Sequence, residues 1–142
     1  MSNLKQTALA AGLYAADFDD RLMPSDRWMD CLTNIYRTSS GVKKEQPLLN
    51  FEGALRCNCL VGNNRDKSRY GYAYNSRLSC RQLSEIENPD TTPLANESSN
   101  WQRNAADPFT SFTGPFDPAV KESRRANIAY VSGRVERALK KD

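Results

Sequence analysis

Residues 117–141, DPAVKESRRANIAYVSGRVERALKK, form the longest stretch of this 142-residue sequence with a single clear hydrophobic period. Asp117 can cap a helix, and Pro118 suits the first helical position because its missing N–H is not needed there. Gly133 would cost such a helix about 1 kcal/mol relative to alanine. The stretch nevertheless predicts an amphipathic helix over 119–142, packed on the rest of the domain. Its apolar face holds Val120, Ile128, Val131, Val135, Ala138 and Leu139.

The predicted C-terminal helix is also the most basic part of the chain. Residues 119–142 hold seven basic and three acidic side chains, whereas residues 88–118 hold one basic and four acidic ones. Arg134, Arg137 and Lys141 would form a basic stripe along the helix. A solvated face that docks the helix on a small core explains this stripe, and contact with phosphate or an acidic protein is the alternative.

The composition of the chain argues against catalysis. There is no histidine, so the usual general base and the commonest metal ligand are missing. Serine and cysteine cannot form the usual triads without it, and no Gly-x-Ser-x-Gly motif or glycine-rich phosphate loop occurs. A carboxylate site is conceivable, although a solvated acidic helix end explains most of the same residues: Asp17, Asp19, Asp20 and Asp30. We therefore predict no enzymatic activity, no catalytic residue and no cofactor.

The four cysteines, Cys31, Cys57, Cys59 and Cys80, permit three interpretations. They can be buried core residues, partners in a disulfide, or ligands of a metal ion. Their spacing lacks the paired two-residue gaps of zinc sites, and the N-terminus does not read as a signal peptide. We favour buried, reduced thiols and predict no metal site.

The sequence shows no clear signal peptide or membrane-spanning segment. No apolar run approaches the roughly 20 residues that a transmembrane helix needs. The sequence therefore predicts no membrane insertion and no secretion through a signal peptide. A virion or a cytoplasmic assembly is the expected location.

Residues 1–87 predict a domain core of helices and strands. Serine caps and helical spacing predict helices over 2–18 and 25–39. Two alternating segments within 55–74 predict a β-hairpin, and a short helix follows over 76–87. The predicted fold class is α+β, a small single domain of three or four helices around one β-hairpin, with a long irregular arm rich in proline and aromatic residues.

The predicted first helix has two apolar stripes. Leu9, Leu13 and Ala16 share one of them. Alanine-rich faces allow helices to approach closely, so we expect this helix to pack within the chain or against another subunit. The second stripe consists of Leu4, Ala8, Ala11, Ala15 and Phe18.

The arm, residues 88–118, contains five prolines and no hydrophobic period, which predicts irregular backbone. Ordering such a segment costs roughly 1–2 kcal/mol per residue in backbone entropy. Its four large aromatic side chains need apolar surroundings that a small core cannot easily supply. We predict that they bind a neighbouring subunit: Trp101, Phe109, Phe112 and Phe116.

A second group of basic residues lies at the tip of the predicted hairpin, beside Tyr70, Tyr72 and Tyr74. Aromatic residues on a strand flanked by basic ones can stack bases and hold phosphates. Tyrosines are also ordinary strand residues with a partly wet face, and we favour that interpretation. The possible contacts to phosphate or to an acidic partner are Arg65, Lys67, Arg69, Arg134, Arg137 and Lys141.

These features predict a binding or structural protein. A small, basic, histidine-free chain with long irregular segments is typical of virion proteins and assembly linkers, which is an analogy of composition. We predict a non-enzymatic structural component of a large multi-subunit assembly, of the minor-capsid, cement or connector type in a phage or virion, that joins neighbouring protein subunits. The alternatives are a nucleic-acid-binding accessory module and a linker protein of a cellular assembly.

Overall fold

A computed structural model describes residues 2–39, 55, 70–97, 102–108 and 125–139. Within these ranges the chain forms two α-helices and a five-stranded mixed β-sheet. The helices and strands, in chain order, are α1 Ser2–Asp17, α2 Trp28–Ser39, β1 Tyr72–Asn75, β2 Pro93–Glu97, β3 Ala106–Asp107, β4 Arg125–Tyr130 and β5 Val135–Leu139.

The strand order across the sheet is β3-β1-β2-β4-β5. β1 is parallel to β3, and the other neighbouring strands are antiparallel. Tyr74 of β1 lies opposite both Ala95 of β2 and Ala106 of β3, while Ala95 lies opposite Ala129 of β4. Tyr74, Ala95 and Ala129 are fully buried, so the core crosses the sheet at this level.

Both helices pack on the same face of the sheet. Side chains alternate along a strand, so Tyr72 and Tyr74 of β1 point in the same direction. Tyr72 hydrogen-bonds to Asn3 of α1, and Tyr74 stacks on Trp28 of α2 with 5.6 Å between ring centroids. The Tyr74 hydroxyl donates to the carbonyl of Met23, which ties the segment between the helices to the sheet.

The helix predicted over 2–18 is present as α1. Its buried stripe contains Leu4, Ala8, Ala11 and Ala15, as the spacing predicts, but Phe18 is exposed. The exposure follows from the helix end, because the chain leaves helical geometry after Asp17.

The C-terminus of α1 is closed by aspartates in left-handed conformation. Asp19 and Asp20 have φ angles of 54° and 64°, which aspartate tolerates better than most residues. The Asp20 amide donates to the Ala15 carbonyl at 2.8 Å, and its carboxylate accepts from the Ser84 amide at 3.1 Å. Negative charge is unfavourable beside a helix C-terminus, which is consistent with the helix stopping here.

The helix predicted over 25–39 is also present. A 3-10 turn at Ser25–Arg27 leads into α2, whose stripe of Trp28, Leu32 and Ile35 is buried. The backbone amide of Met29, in the first turn of α2, donates to Oδ1 of Asn104 at 2.7 Å. The helix N-terminus is therefore capped by a residue far away in the sequence.

The predicted C-terminal helix is wrong, because its described part is the antiparallel hairpin of β4 and β5. Gly133, at φ 93°, occupies the connecting turn, where a residue with a Cβ would be strained. The Tyr130 amide donates to the Arg134 carbonyl at 2.8 Å and closes the turn. Ile128 and Ala129 are both buried, so β4 shows no alternation of buried and exposed residues that would identify a strand.

The predicted arrangement of three or four helices around one hairpin is also wrong. β1 occupies the end of the predicted hairpin but pairs with β2 and β3, and residues 56–69 lie outside the described ranges. The helix predicted over 76–87 is replaced by two 3-10 turns, Ser76–Leu78 and Leu83–Glu85.

Two parts of the arm predicted over 88–118 belong to the sheet. They supply the interior strand β2 and the edge strand β3. Pro93 fits because proline is tolerated at the first position of a strand. Hydrogen bonds to distant strands, which a scan for local period cannot detect, order this segment.

Gly12→Ala is expected to stabilise the protein by about 0.5–1 kcal/mol, because glycine is costly inside a helix. A Cβ at Gly12 would meet no atom within 4 Å. Urea denaturation followed by circular dichroism measures the change. The control is Gly133→Ala, where φ is 93° and a Cβ is strained, so the same substitution should destabilise. Equal effects of the two substitutions would contradict this explanation.

Candidate interaction surface

The side of α1 that points away from the core exposes two large apolar residues. Leu9 is 58% exposed and Leu13 is 49% exposed, one helical turn apart. Gly12 and Ala16 lie beside them and are also exposed. We call these four residues the outer face of α1. Single exposed leucines are common in monomers, but a pair flanked by small residues forms a continuous surface on which another helix can pack.

The two ends of the outer face carry opposite charge. Lys5 is exposed near the N-terminus of α1, and its Nζ donates to the Gly133 carbonyl at 2.8 Å. Asp17, Asp19 and Asp20 are exposed at the other end. Among the described residues, no ion pair involves Asp17 or Asp19. The helix dipole alone would favour the reverse order of charges, so it does not explain why the aspartates lie at this end.

A second polar cluster joins residues 102–108 to α2. Arg103 Nε pairs with Asp30 at 2.8 Å, and its Nη1 donates to the Tyr70 hydroxyl at 2.9 Å. Asn104 Nδ2 donates to the other Asp30 oxygen at 3.1 Å. Because these groups form hydrogen bonds with one another, the cluster holds residues 102–108 against α2.

A third polar cluster is buried between α1 and the sheet. The Glu97 carboxylate accepts from the backbone amide of Asn127 at 3.2 Å and from its Nδ2 at 2.7 Å. Burial, with a smaller contribution from the charge of Glu97, raises the pKa of Tyr72 well above its usual value. Within the described part of the chain, Oδ1 of Asn127 and Oδ1 of Asn96 are buried without a hydrogen-bond partner. One carboxylate is a poor metal site, and the described ranges contain no group of three His, Cys, Asp or Glu able to hold a metal ion.

The described cysteines, Cys31 and Cys80, are free thiols, and Cys57 and Cys59 lie outside the described residues. Cys31 is half-buried and hydrogen-bonds to Tyr14. Burial raises the pKa of the Cys31 thiol despite that bond, so the reactive thiolate is disfavoured.

Most of the predicted site residues lie outside the described ranges. Arg137 is exposed on β5, while Arg134 is engaged within the fold. Arg134 pairs with Glu136, lies 4.1 Å above the Tyr130 ring, and donates to the Asp90 carbonyl at 2.7 Å. The residues that are not described are Trp101, Phe109, Phe112, Phe116, Arg65, Lys67, Arg69 and Lys141.

Arg134 and Arg137 do not form the stripe expected on a helix. Arg137 lies on β5, whereas Arg134 precedes the strand and contacts Glu136 and the Asp90 carbonyl. Three residues of the outer face of α1, Leu9, Leu13 and Ala16, by contrast, form one of the two apolar stripes that the sequence predicts. Its exposure could not be predicted, because local spacing does not say which stripe the core covers.

Neither α-helix in the described ranges combines the length and apolar character needed to cross a membrane. No protein-family model matches the chain, and comparisons with curated proteins and with solved structures gave no match.

Proposed function

We propose that this chain is a non-enzymatic structural component of a large multi-subunit assembly, in which it joins neighbouring subunits. The setting that suits its composition is a phage or virion, with a minor-capsid, cement or connector role. The observation that carries the proposal is the exposure of Leu9 and Leu13 on a helix whose opposite face is already buried in the protein's own core.

The outer face of α1 is energetically suited to a protein partner. Fully burying a leucine contributes about 1.5–3 kcal/mol, so Leu9 and Leu13 can together contribute several kcal/mol on association. The internal contacts of α1 come from a different stripe, and the fold does not need the outer face. Exposed leucines here are therefore explained by intermolecular packing better than by stability of the monomer.

The sheet offers a second place for subunit contact. β5 is an edge strand in the described sheet, and only one of its sides pairs with a neighbouring strand, β4. Glu136 and Arg137 place charges of both signs on this edge, which limits unspecific strand pairing. A partner strand with complementary charges could still extend the sheet.

The nucleic-acid alternative gains no support from the described residues. Arg134 uses its guanidinium in contacts with Glu136, Tyr130 and Asp90. Of the predicted phosphate contacts, the described ranges include Arg134 and Arg137, and the exposed Arg137 is not enough by itself, because phosphate binding draws on several basic residues at once.

The proposal is tested with an affinity-tagged chain expressed in its source cells and fractionated by sedimentation. We expect the chain to travel in a large particle with defined subunits at fixed stoichiometry. Leu9→Asp with Leu13→Asp should reduce its incorporation at least about tenfold, because each charge would have to be buried. Circular dichroism should stay unchanged, since both positions are exposed.

The control is Arg77→Gln with Arg81→Gln, which lowers the net charge by the same amount at exposed positions outside α1. We expect this variant to enter the particle normally. A wild-type chain that sediments as a free monomer in a native extract would overturn the proposal, and so would normal incorporation of the leucine variant.

A further inference from the structure

We infer that the outer face of α1 binds the outer face of α1 in a second copy of this chain, with the two helices antiparallel about a twofold axis. The inference rests on the proposed function, since it identifies the partner of the same surface. Three features support a second copy as the occupant: the spacing of the leucines, the small residues between them, and the distribution of charge.

The leucine spacing is self-complementary. Two antiparallel helices that cross at the level of residue 11 place Leu9 of one copy opposite Leu13 of the other, and the same contact occurs twice. At a rise of 1.5 Å per residue, the two leucines are separated by roughly 6 Å along the axis, about one turn. A single surface thus supplies both halves of the contact.

Small residues allow the two helices to approach closely. Gly12 adjoins the leucines, and a Cβ built there would meet no atom within 4 Å, so the space beside it is open. Ala16 continues the same surface and is exposed. Helices pack at about 8–10 Å between axes, and small side chains permit the shorter distances.

The charges select the antiparallel orientation. Lys5 and Asp17 lie at equal distances from the level of residue 11, so an antiparallel pair brings each Lys5 next to Asp17 of the second copy. A parallel pair would bring like charges together, which is unfavourable. Lys5 donates one hydrogen bond to the Gly133 carbonyl, and an ammonium group has two further donors for a carboxylate.

A charge-exchange experiment tests both the partner and the orientation. Sedimentation velocity of the purified chain should show a concentration-dependent dimer. Lys5→Glu and Asp17→Lys should each weaken the dimer about tenfold, because each places two like-charged pairs in the interface. An equimolar mixture of the two variants should recover wild-type affinity, since the mixed dimer contains only opposite charges.

The outcomes separate this inference from the proposed function. If the purified wild-type chain stays monomeric while the leucine variant still fails to enter the native particle, the occupant is another subunit, and only the inference is overturned. If the wild-type chain dimerises but the mixture shows no recovery, the antiparallel arrangement is overturned. If the leucine substitutions affect neither dimer nor particle, both the inference and the proposed function fail.

Discussion

Replacing Trp28 by alanine is expected to lower the free energy of unfolding by about 3–5 kcal/mol. Trp28 has 0% of its surface exposed and stacks on Tyr74 of β1. Its Nε1 donates to the Ala105 carbonyl at 2.9 Å, which ties α2 to the segment leading into β3. Alanine would leave a large cavity and remove the only hydrogen-bond donor of this side chain.

Urea denaturation followed by circular dichroism measures this loss. Trp28→Phe separates the contribution of the cavity from that of the lost hydrogen bond, because it keeps much of the apolar volume and removes the donor. Its expected loss is smaller than that of alanine and includes about 1–3 kcal/mol for the unpaired carbonyl. Leu13→Ala serves as the exposed control and should change stability by less than about 0.5 kcal/mol in dilute solution. A loss below that value for Trp28→Ala would contradict the packing described above.

Stability is expected to fall steeply above pH 10. Burial is the main cause that raises the pKa of Tyr72 and Tyr74 well above the usual tyrosine value, with smaller contributions from the charge of Glu97 at Tyr72 and of Cys80 at Tyr74. A raised pKa means that the folded state holds its protons while the unfolded state releases them. The stabilisation is therefore complete below pH 10 and is lost as the pH rises towards the folded-state pKa values.

Each of these tyrosines should contribute a slope of about 1.4 kcal/mol per pH unit above pH 10. Urea denaturation at several alkaline pH values gives the slope. Tyr72→Phe and Tyr74→Phe should each reduce this slope by the contribution of one tyrosine, whatever the effect of the substitution on stability at neutral pH. An unchanged slope in both variants would show that other groups cause the alkaline loss.

Local interactions made the two helices predictable from the sequence. Their caps and apolar spacing lie within a few turns of chain, as in the stripe Trp28, Leu32 and Ile35. The same reasoning failed at the C-terminus, because a strand covered on both faces loses its alternation and can be mistaken for a helix. Gly133 was the one local sign of a turn, and its positive φ became evident only in the structure.

Pairing between strands far apart in the sequence accounts for the remaining differences between the predicted fold and the structure. The strand character of β1 appeared in its alternation, but its pairing with β2, and that of β2 with β4, joins it to segments whose strand character does not appear in local period. A proline-rich segment without period became an interior strand, since backbone hydrogen bonds from both neighbours satisfy it. Such pairing depends on residues far apart in the chain, so a window of sequence cannot reveal it.

For the candidate surface, the sequence by itself determined that the first helix has two apolar stripes, with Lys5 near one end and aspartates at the other. Only the tertiary structure decided which stripe is buried. The rest of the fold covers the side with Leu4, Ala8, Ala11 and Ala15 and leaves Leu9 and Leu13 exposed. The physical reason is that helical period is a local property, whereas burial depends on which distant element packs against the helix.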